Sequence, residues 1–222
     1  MPSSMRERFR EQVREDVKAA ALDQLASGGA QALSINAIAK QLGVSGAGLY
    51  RYFASRDDLL TALVLDAYGD LRDAVAQEVD AAGTPQERFH ALARAYRAWA
   101  QAQPHRYELL FKPPVPGYDA HAEPLALAAR SLMMILLGIL ADLRAEETAP
   151  PRAYGNEEVL AVRAAGAPEF YLAVAVWSKL HGIVSLEIGG GLTAMNIDVD
   201  ALFENEMRIL LYRTTQRAAA SG

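Results

Sequence analysis

Residues 34–53 read SINAIAKQLGVSGAGLYRYF, and their spacing predicts two short helices joined by a tight turn. Ala39 would let the two helices cross closely, and Gly43, four positions later, would make the turn between them. Ile38 and Leu49 are the large apolar residues that would fill the shared core. This spacing is typical of a helix-turn-helix, whose second helix projects from the surface and can enter a major groove of DNA. An ordinary helical hairpin with a short turn would show the same spacing, so both interpretations stay open at this point.

Helix starts and stops surround this stretch. Ser34, Ser45 and Ser55 each stand where a hydroxyl could accept a hydrogen bond from a backbone N–H of a first helical turn. A preceding helix is predicted to end at the glycines of residues 28–29. Its buried stripe would consist of Phe9, Val13, Val17, Ala20, Ala21 and Leu25. The sequence therefore predicts a first helix, the helix-turn-helix pair and a fourth helix that starts at Ser55.

The rest of the chain also reads as helix, because Ala and Leu are abundant and alternating β-branched runs are absent. Thr84 and Glu87 are spaced as a capping box, and the helix that it opens would carry one apolar face of Phe89, Leu92, Tyr96 and Trp99. Pro104 would begin the following helix. Loops are expected near 112–124 and 148–167, and later helices near 124–147, 168–188 and 198–213. We therefore expect an all-α fold of about nine helices.

The composition excludes several classes of protein. The chain has 222 residues and no cysteine, so disulfides, thiolate catalysis and Cys-ligated zinc are excluded. Residues 1–14 are polar and charged and contain no apolar signal-peptide region. The longest strongly apolar run, residues 132–141, has about half of the ~20 residues that span a bilayer. We therefore expect a soluble, cytoplasmic protein.

Positive charge is concentrated near the N-terminus. The whole chain has a formal net charge of −5, but residues 1–60 contain eight Lys or Arg against seven Asp or Glu. This part is therefore slightly basic, whereas the remainder is acidic. A local basic face is what contact with nucleic-acid phosphates requires.

The sequence contains no recognisable enzyme motif or metal site. The four histidines, His90, His105, His121 and His181, show no metal-ligand spacing. HExxH, GxSxG and phosphate-loop motifs are absent from the sequence. We therefore expect neither catalysis nor a bound metal or cofactor.

The helix-turn-helix stretch is similar to a known family. The segments Val44-Ser45, Leu49-Tyr50-Arg51-Tyr52-Phe53 and Ser55–Leu60 resemble the signature of TetR-type transcriptional regulators, a resemblance that covers residues 8–62. Trp177 with His181-Gly182 resembles an element of one C-terminal subgroup of that family. The resemblance implies an N-terminal three-helix helix-turn-helix DNA-binding domain over residues 1–62. It also implies a larger helical ligand-sensing and dimerisation domain over residues 63–222.

Eight residues are implied by this resemblance as DNA contacts: Ser34, Ser45, Gly46, Ala47, Tyr50, Arg51, Tyr52 and Arg56. Backbone phosphates could be bound by the Arg56 guanidinium and by the hydroxyls of Ser34, Ser45, Tyr50 and Tyr52. Gly46, Ala47 and Gly48 carry no hydrogen-bonding side chain, so Arg51 is the candidate for a polar base contact. We also expect the shape of the DNA to contribute more to sequence specificity than usual. For Arg6, Arg8 and Arg10, DNA contact and a solvated charged terminus stay equally open.

The last two helices are predicted to be buried on two sides because they are rich in apolar residues. The resemblance implies that helices 168–188 and 198–213 pair with their copies in a homodimer that binds a two-fold symmetric operator. An apolar effector cavity could be lined by Trp99, Tyr107, Phe111, Met133, Met134, Tyr171, Trp177 and His181. Aromatic and methionine side chains at helical spacing are, however, more often ordinary core.

These observations favour a ligand-responsive DNA-binding transcriptional regulator. A repressor that a small, mostly apolar effector releases from its operator is the expected form, with activation left open. A ligand-free architectural DNA-binding protein and an enzyme using the C-terminal cavity are the alternatives. The sequence does not identify the effector, the operator or the regulated genes.

Overall fold

The computed structural model describes residues 5–112, 118–119, 122–145 and 168–219, and its regular elements there are all helical. Nine α-helices occur in these ranges: α1 Met5–Gly28, α2 Ile35–Gln41, α3 Gly46–Leu49, α4 Arg56–Ala81, α5 Pro85–Ala102, α6 Pro104–Phe111, α7 Glu123–Ala145, α8 Pro168–Ile188 and α9 Val199–Ala219. The prediction of an all-α chain of about nine helices is confirmed. The predicted connection over 148–167 and His121 lie outside the described residues.

The helices form two compact units. The first contains Met1–Gly69 and Gln103–Ala126, and the second contains Asp70–Ala102 and Leu127–Gly222. Helix α4 starts in the first unit and ends in the second, so a single continuous helix contributes residues to both.

The core of the first unit joins α1, α2, α3, the start of α4 and α6. Its fully buried side chains include Val17, Ala21, Ile38, Leu49, Leu59 and Leu60. Ala39 is only 2 % exposed, as expected for a small residue where two helices approach closely. Gly43 has a φ of +68°, in the left-handed region that glycine adopts without steric penalty. Both features confirm the predicted helix-turn-helix.

Phe9 does not belong to this core, which corrects the predicted stripe. Its side chain is 67 % exposed, whereas Val17 and Ala21 further along α1 are buried. Residues 5–12 are exposed throughout, because none of the described elements of this unit covers the first two turns of α1.

The second unit packs around α5. The predicted face of this helix is buried, with Phe89, Leu92, Tyr96 and Trp99 at most 9 % exposed. The capping box at its start is present: Glu87 N donates to Thr84 Oγ1 at 3.2 Å, and Thr84 N donates to Glu87 Oε2 at 2.8 Å. These bonds satisfy two backbone donors that a helix start otherwise leaves unpaired.

Helices α8 and α9 bury one face each within this unit. Buried positions are Ala173, Val176, Leu180 and Val184 on α8 and Phe203 and Met207 on α9. Tyr171 and Leu186 on α8 are 67 % and 53 % exposed. In the single chain, therefore, the second face of α8 is not covered by the described residues.

Two helices of this unit have the length and apolar composition of membrane spans. They are Glu123–Arg144 of α7 and Phe170–Ile188 of α8, and the core helices of soluble proteins meet the same criteria. The apolar composition of α7 therefore extends beyond residues 132–141, although α7 also contains Arg130 and Asp142.

Candidate DNA-binding surface and effector cavity

Three serine hydroxyls fix the helix starts in the first unit. Ser34 Oγ accepts a hydrogen bond from Ala37 N at 3.3 Å, and Ser45 Oγ accepts one from Gly48 N at 3.1 Å. Ser55 Oγ accepts from Asp58 N at 3.0 Å in the same way. Each hydroxyl acts as an acceptor in its cap, so its own hydrogen is available for donation to another group.

The turn between α2 and α3 is held by backbone hydrogen bonds. Leu42 N donates to Ile38 O at 2.9 Å, and Val44 N donates to Ala39 O at 3.0 Å. Helix α3 has only four residues, and Leu49 is its buried anchor at 1 % exposed. A helix this short depends on its cap and its anchor for its orientation, because it contains few internal hydrogen bonds.

The eight predicted DNA-binding residues differ in exposure. Ser45, Ala47, Tyr50 and Arg51 are exposed, and Tyr50 has 47 % of its surface accessible. The other four are half-buried: Ser34, Gly46, Tyr52 and Arg56. The exposed residues lie on α3 or directly beside it, so the recognition helix presents a small surface dominated by Ala47, Tyr50 and Arg51.

Arg14 on α1 holds the segment that follows α3. Its guanidinium donates to Tyr52 O at 2.8 Å and lies 4.5 Å from the centre of the Phe53 ring. In the sequence, Arg14 is one of the eight Lys or Arg residues of the first sixty positions. Its role depends on a contact 38 residues away, which no local pattern reveals.

A second cross-helix contact in this unit involves Lys18. Lys18 Nζ lies 2.6 Å from Asp66 Oδ2 on α4 and 2.5 Å from Glu15 on its own helix. Burial of the Lys18 side chain lowers its pKa, but the hydrogen bonds to Asp66 and Glu15 outweigh this and raise it above the ordinary value. The pair therefore ties α1 to α4.

The second unit encloses a small apolar cavity between α4, α5, α7 and α8. Its volume is about 30 Å³, which is room for only one or two water molecules. Its walls are Val75, Leu92, Tyr96, Leu132, Met133, Leu136, Trp177 and Leu180. Met133 and Trp177 are the two predicted ligand-binding residues among them.

A polar pair lies beside this cavity. Tyr96 Oη and His181 Nδ1 are 3.2 Å apart, and the His181 ring stacks on Trp177 with ring centres 5.2 Å apart. Burial lowers the pKa of His181 below its ordinary value, so the imidazole is neutral at neutral pH. The pair thus offers hydrogen bonding without net charge in an otherwise apolar wall.

The remaining predicted ligand residues do not line this cavity. Trp99 is buried elsewhere in the second unit, Met134 is half-buried on α7, and Tyr171 is 67 % exposed. Tyr107 and Phe111 belong to the first unit, where their rings pack against each other with centres 4.9 Å apart. Sequence reasoning missed the role of Tyr96, because an aromatic on the buried stripe of α5 is not distinguishable from core by spacing.

An ion-pair network joins three helices of the second unit. Arg97 on α5 donates to both oxygens of Glu187 on α8, at 2.8 and 2.6 Å, and to Asp200 Oδ1 on α9 at 2.6 Å. Gln101 Nε2 also donates to Glu187, at 2.8 Å. These contacts raise the pKa of Arg97, and the hydrogen bond from Arg97 lowers that of Glu187.

Comparison with known families is consistent with this two-unit arrangement. The family model described as bacterial regulatory proteins, tetR family, matches residues 18–63. The family model described as tetracyclin repressor-like, C-terminal domain, matches residues 89–210, which is more than half of the chain.

Relatives and solved structures give the same result. The HTH-type transcriptional regulator Rv1816 of Mycobacterium tuberculosis is 33 % identical over 215 residues, covering 91 % of this chain and 92 % of its own length. The crystal structure of the regulatory protein SCO4313 is 36 % identical and superposes with a TM-score of 0.77 over 94 % of this chain and 99 % of that one. The transcriptional regulator FadR from Bacillus subtilis, solved in complex with stearoyl-CoA, shares the fold at 15 % identity, with a TM-score of 0.63 over 89 % of this chain and 97 % of its own. The chain therefore belongs to the TetR family of transcriptional regulators, with a helix-turn-helix DNA-binding domain near its N-terminus.

Proposed function

We propose that this regulator is a repressor that leaves its operator when a small, mostly apolar effector binds in the second unit. The observation that carries the proposal is the path of α4. This helix begins at Arg56, directly after the helix-turn-helix, and supplies Val75 to the cavity wall. Val75 is nineteen positions after Arg56, which corresponds to roughly 28 Å of continuous helix. Val75 therefore lies on the same continuous helix that begins after the helix-turn-helix, and a displacement of the cavity wall is proposed to act through this helix.

Residues 1–62 are proposed to bind DNA, with phosphates as the main contacts. The capping hydroxyls of Ser34 and Ser45 keep a hydrogen to donate, and the Tyr50 hydroxyl lies on an exposed ring. Tyr52 and Arg56, which follow α3 in the sequence, are proposed as further phosphate contacts. Contacts of this kind position a protein on the duplex without reading its sequence.

Base recognition is proposed for the exposed residues of α3 and its end. Ala47 is small enough to contact a thymine methyl group, and Arg51 is exposed and able to bind the O6 and N7 atoms of guanine. Gly46 and Gly48 let the backbone of α3 approach the base edges closely.

Residues 63–222 are proposed to sense the effector and to form the homodimer. Six large apolar side chains of the second unit are exposed in the described residues, and five of them belong to α8, α9 or the turn between them: Tyr171, Leu186, Met195, Ile197 and Tyr212. Exposed apolar groups concentrated in this way are typical of interaction surfaces. Pairing of α8 and α9 with their copies would cover them and would place two recognition helices on a two-fold operator.

The effector is proposed to have an apolar body and one hydrogen-bonding group. The cavity walls are aliphatic and aromatic, and the neutral Tyr96–His181 pair is the polar group beside them. Small-molecule sites usually measure about 300–1,000 Å³, so an effector has to separate the walls to enter. FadR from Bacillus subtilis, which has this fold, was solved with stearoyl-CoA, so the fold is compatible with a large ligand.

Coupling between the two sites follows from this expansion. An effector that binds only when α5, α7 and α8 move away from Val75 shifts α4 and changes the separation of the recognition helices. Typical coupling energies of about 1–3 kcal/mol would weaken operator binding roughly 5- to 150-fold. The regulator is proposed to act in the cytoplasm, where the operator DNA of bacteria lies.

The proposal is tested by measuring effector binding and operator binding on the same protein. The chain has two tryptophans, of which Trp177 lines the cavity and Trp99 does not. Apolar compounds with one polar group are screened for a change in tryptophan fluorescence, which Trp177→Phe should abolish and Trp99→Phe should retain. Each active compound should then weaken binding to a selected operator duplex at least fivefold. A compound that binds next to Trp177 and leaves operator affinity unchanged would overturn the proposed mechanism.

A further inference from the structure

The exposed start of α3 has no side chain that could read a base by hydrogen bonding. Gly46, Ala47 and Gly48 occupy the first three positions of this four-residue helix. Arg51 lies beyond the last residue of α3 and is therefore placed to contact bases only at that end of the helix. Ser45, the N-cap at the other end, is proposed above as a phosphate contact, so a side chain that reads a base there would come from another element.

The side chain of Asn36, the second residue of α2, lies against the first residue of α3. A Cβ added at Gly46 would lie 2.8 Å from Asn36 Oδ1 and 3.9 Å from Asn36 Cγ. A real Cβ does not approach a heavy atom that closely, so the Asn36 carboxamide occupies space that any side chain at position 46 would claim. Glycine at position 46 leaves room for the Asn36 carboxamide in this rotamer, and an added Cβ would require the carboxamide to shift.

The carboxamide of Asn36 is exposed and has hydrogen-bonding capacity to spare. Within the part of the chain that the structure describes, it makes no hydrogen bond, whereas the neighbouring polar side chains Ser34 and Ser45 both cap helices. Its two N–H donors and its carbonyl acceptor are therefore not engaged by any described residue, and they lie next to the first residue of α3. Because this carboxamide is exposed, water can satisfy its hydrogen-bonding groups in the free protein, and a DNA base can replace that water on binding.

We propose that Asn36 reads a base edge in the major groove, in place of the missing side chain at the start of α3. Adenine is the expected base, because an asparagine carboxamide can accept from the adenine N6 amino group and donate to N7 at the same time. Asn36 is then a specificity-determining residue that belongs to the first helix of the motif and is admitted by a glycine in the second. This inference rests on the proposed operator recognition and adds one base-reading residue to it.

The experiment starts with the full-length wild-type protein and a random duplex pool, followed by selection and sequencing. A recovered two-fold site establishes operator recognition independently of Asn36. Wild type and Asn36→Ala are then compared on that site and on all its single-base substitutions at one salt concentration. In Asn36→Ala the preference for one A·T pair in each half-site should fall about tenfold or more, while the ranking at other positions is retained.

Gln41→Ala is the matched control for the loss of an exposed amide. Gln41 lies on the same helix, five residues further on, and is exposed like Asn36. It is turned about 140° around the helix axis from Asn36, so its removal should leave every base preference unchanged. Circular dichroism and thermal unfolding of both variants show that the fold is retained.

A double-mutant cycle with Gly46→Ala tests the geometry itself. The added methyl group should displace the Asn36 carboxamide and reduce the preference at the same A·T pair. The double variant Asn36→Ala/Gly46→Ala should then show no further loss at that pair, because the two changes remove the same contact. A uniform loss of affinity for all sequences, an unchanged profile in Asn36→Ala, or additive losses in the double variant would overturn the inference.

Discussion

Arg97 on α5 binds both carboxylate oxygens of Glu187 on α8, at 2.8 and 2.6 Å, across 90 residues of sequence. The side chains are only 12 % and 15 % exposed, so the pair is shielded from solvent on both sides. The same guanidinium lies 4.8 Å from the centre of the Phe203 ring and bonds Asp200 on α9. This one arginine therefore links three helices of the second unit, α5, α8 and α9.

Glu187→Gln should lower the free energy of unfolding by about 1–3 kcal/mol, because it removes the less exposed of the two carboxylates that pair with the largely buried Arg97 guanidinium. Urea denaturation monitored by circular dichroism measures the change. Glu204→Gln is the matched control: its pair with Arg94 has side chains that are 46 % and 64 % exposed, and should contribute less than about 1 kcal/mol. Equal effects of the two substitutions would contradict a special role for Glu187.

The contribution of Glu187 should also depend on pH. The hydrogen bond from Arg97 holds the pKa of Glu187 below its ordinary value of 4.5. The stabilisation is therefore fully present above pH 4.5 and is lost as the pH falls through the lower folded-state pKa. The difference in unfolding free energy between wild type and Glu187→Gln should be constant between about pH 5 and 7 and should shrink below about pH 4. A difference that grows on acidification would have the wrong sign.

Gly43→Ala should destabilise the first unit by about 1–2 kcal/mol, because its φ of +68° is unfavourable for a residue with a Cβ. Gly69→Ala provides the control. That glycine lies inside α4 with no atom within 4 Å of an added Cβ, so alanine should be neutral or stabilise the protein by up to about 1 kcal/mol. Thermal unfolding measures both, and a loss of stability in Gly69→Ala as large as that in Gly43→Ala would exclude the turn geometry as the cause.

Tyr171→Asp should convert the proposed dimer into a monomer, because it places a charge on the exposed apolar face of α8. Size-exclusion chromatography with light scattering gives the mass directly. Leu127→Asp introduces the same charge at a 40 % exposed apolar residue of α7 and should leave the mass unchanged. A wild-type protein that is already monomeric, or a Tyr171→Asp protein that stays dimeric, would refute the proposed interface.

Local features of the fold were predictable from the sequence. The helix-turn-helix depends on residues within ten positions of one another: Ala39 and Gly43 set the crossing and the turn, and Leu49 anchors α3. The caps at Ser34, Ser45 and Thr84 are equally local, because a cap bonds a backbone group three residues away. Amphipathic spacing likewise predicted the buried face of α5.

Contacts between distant segments were not predictable. Tyr96 and His181 meet across 85 residues, and Arg97 and Glu187 across 90. Helical spacing identifies the face on which each residue lies but not the helix that packs against that face. For the same reason, Phe9 was predicted to be buried and Tyr171 to line the cavity, but both side chains are exposed. The proximity of Asn36 to Gly46 also depends on the crossing angle of two helices, which spacing does not determine.

Selection from a random duplex pool by the purified full-length protein, repeated over a series of salt concentrations, tests the central claim most directly. We expect enrichment of a two-fold symmetric site, with log affinity falling linearly with log salt concentration as phosphate contacts release counterions. Failure to enrich any sequence even at low salt would contradict the assignment of residues 1–62 as an operator-binding domain.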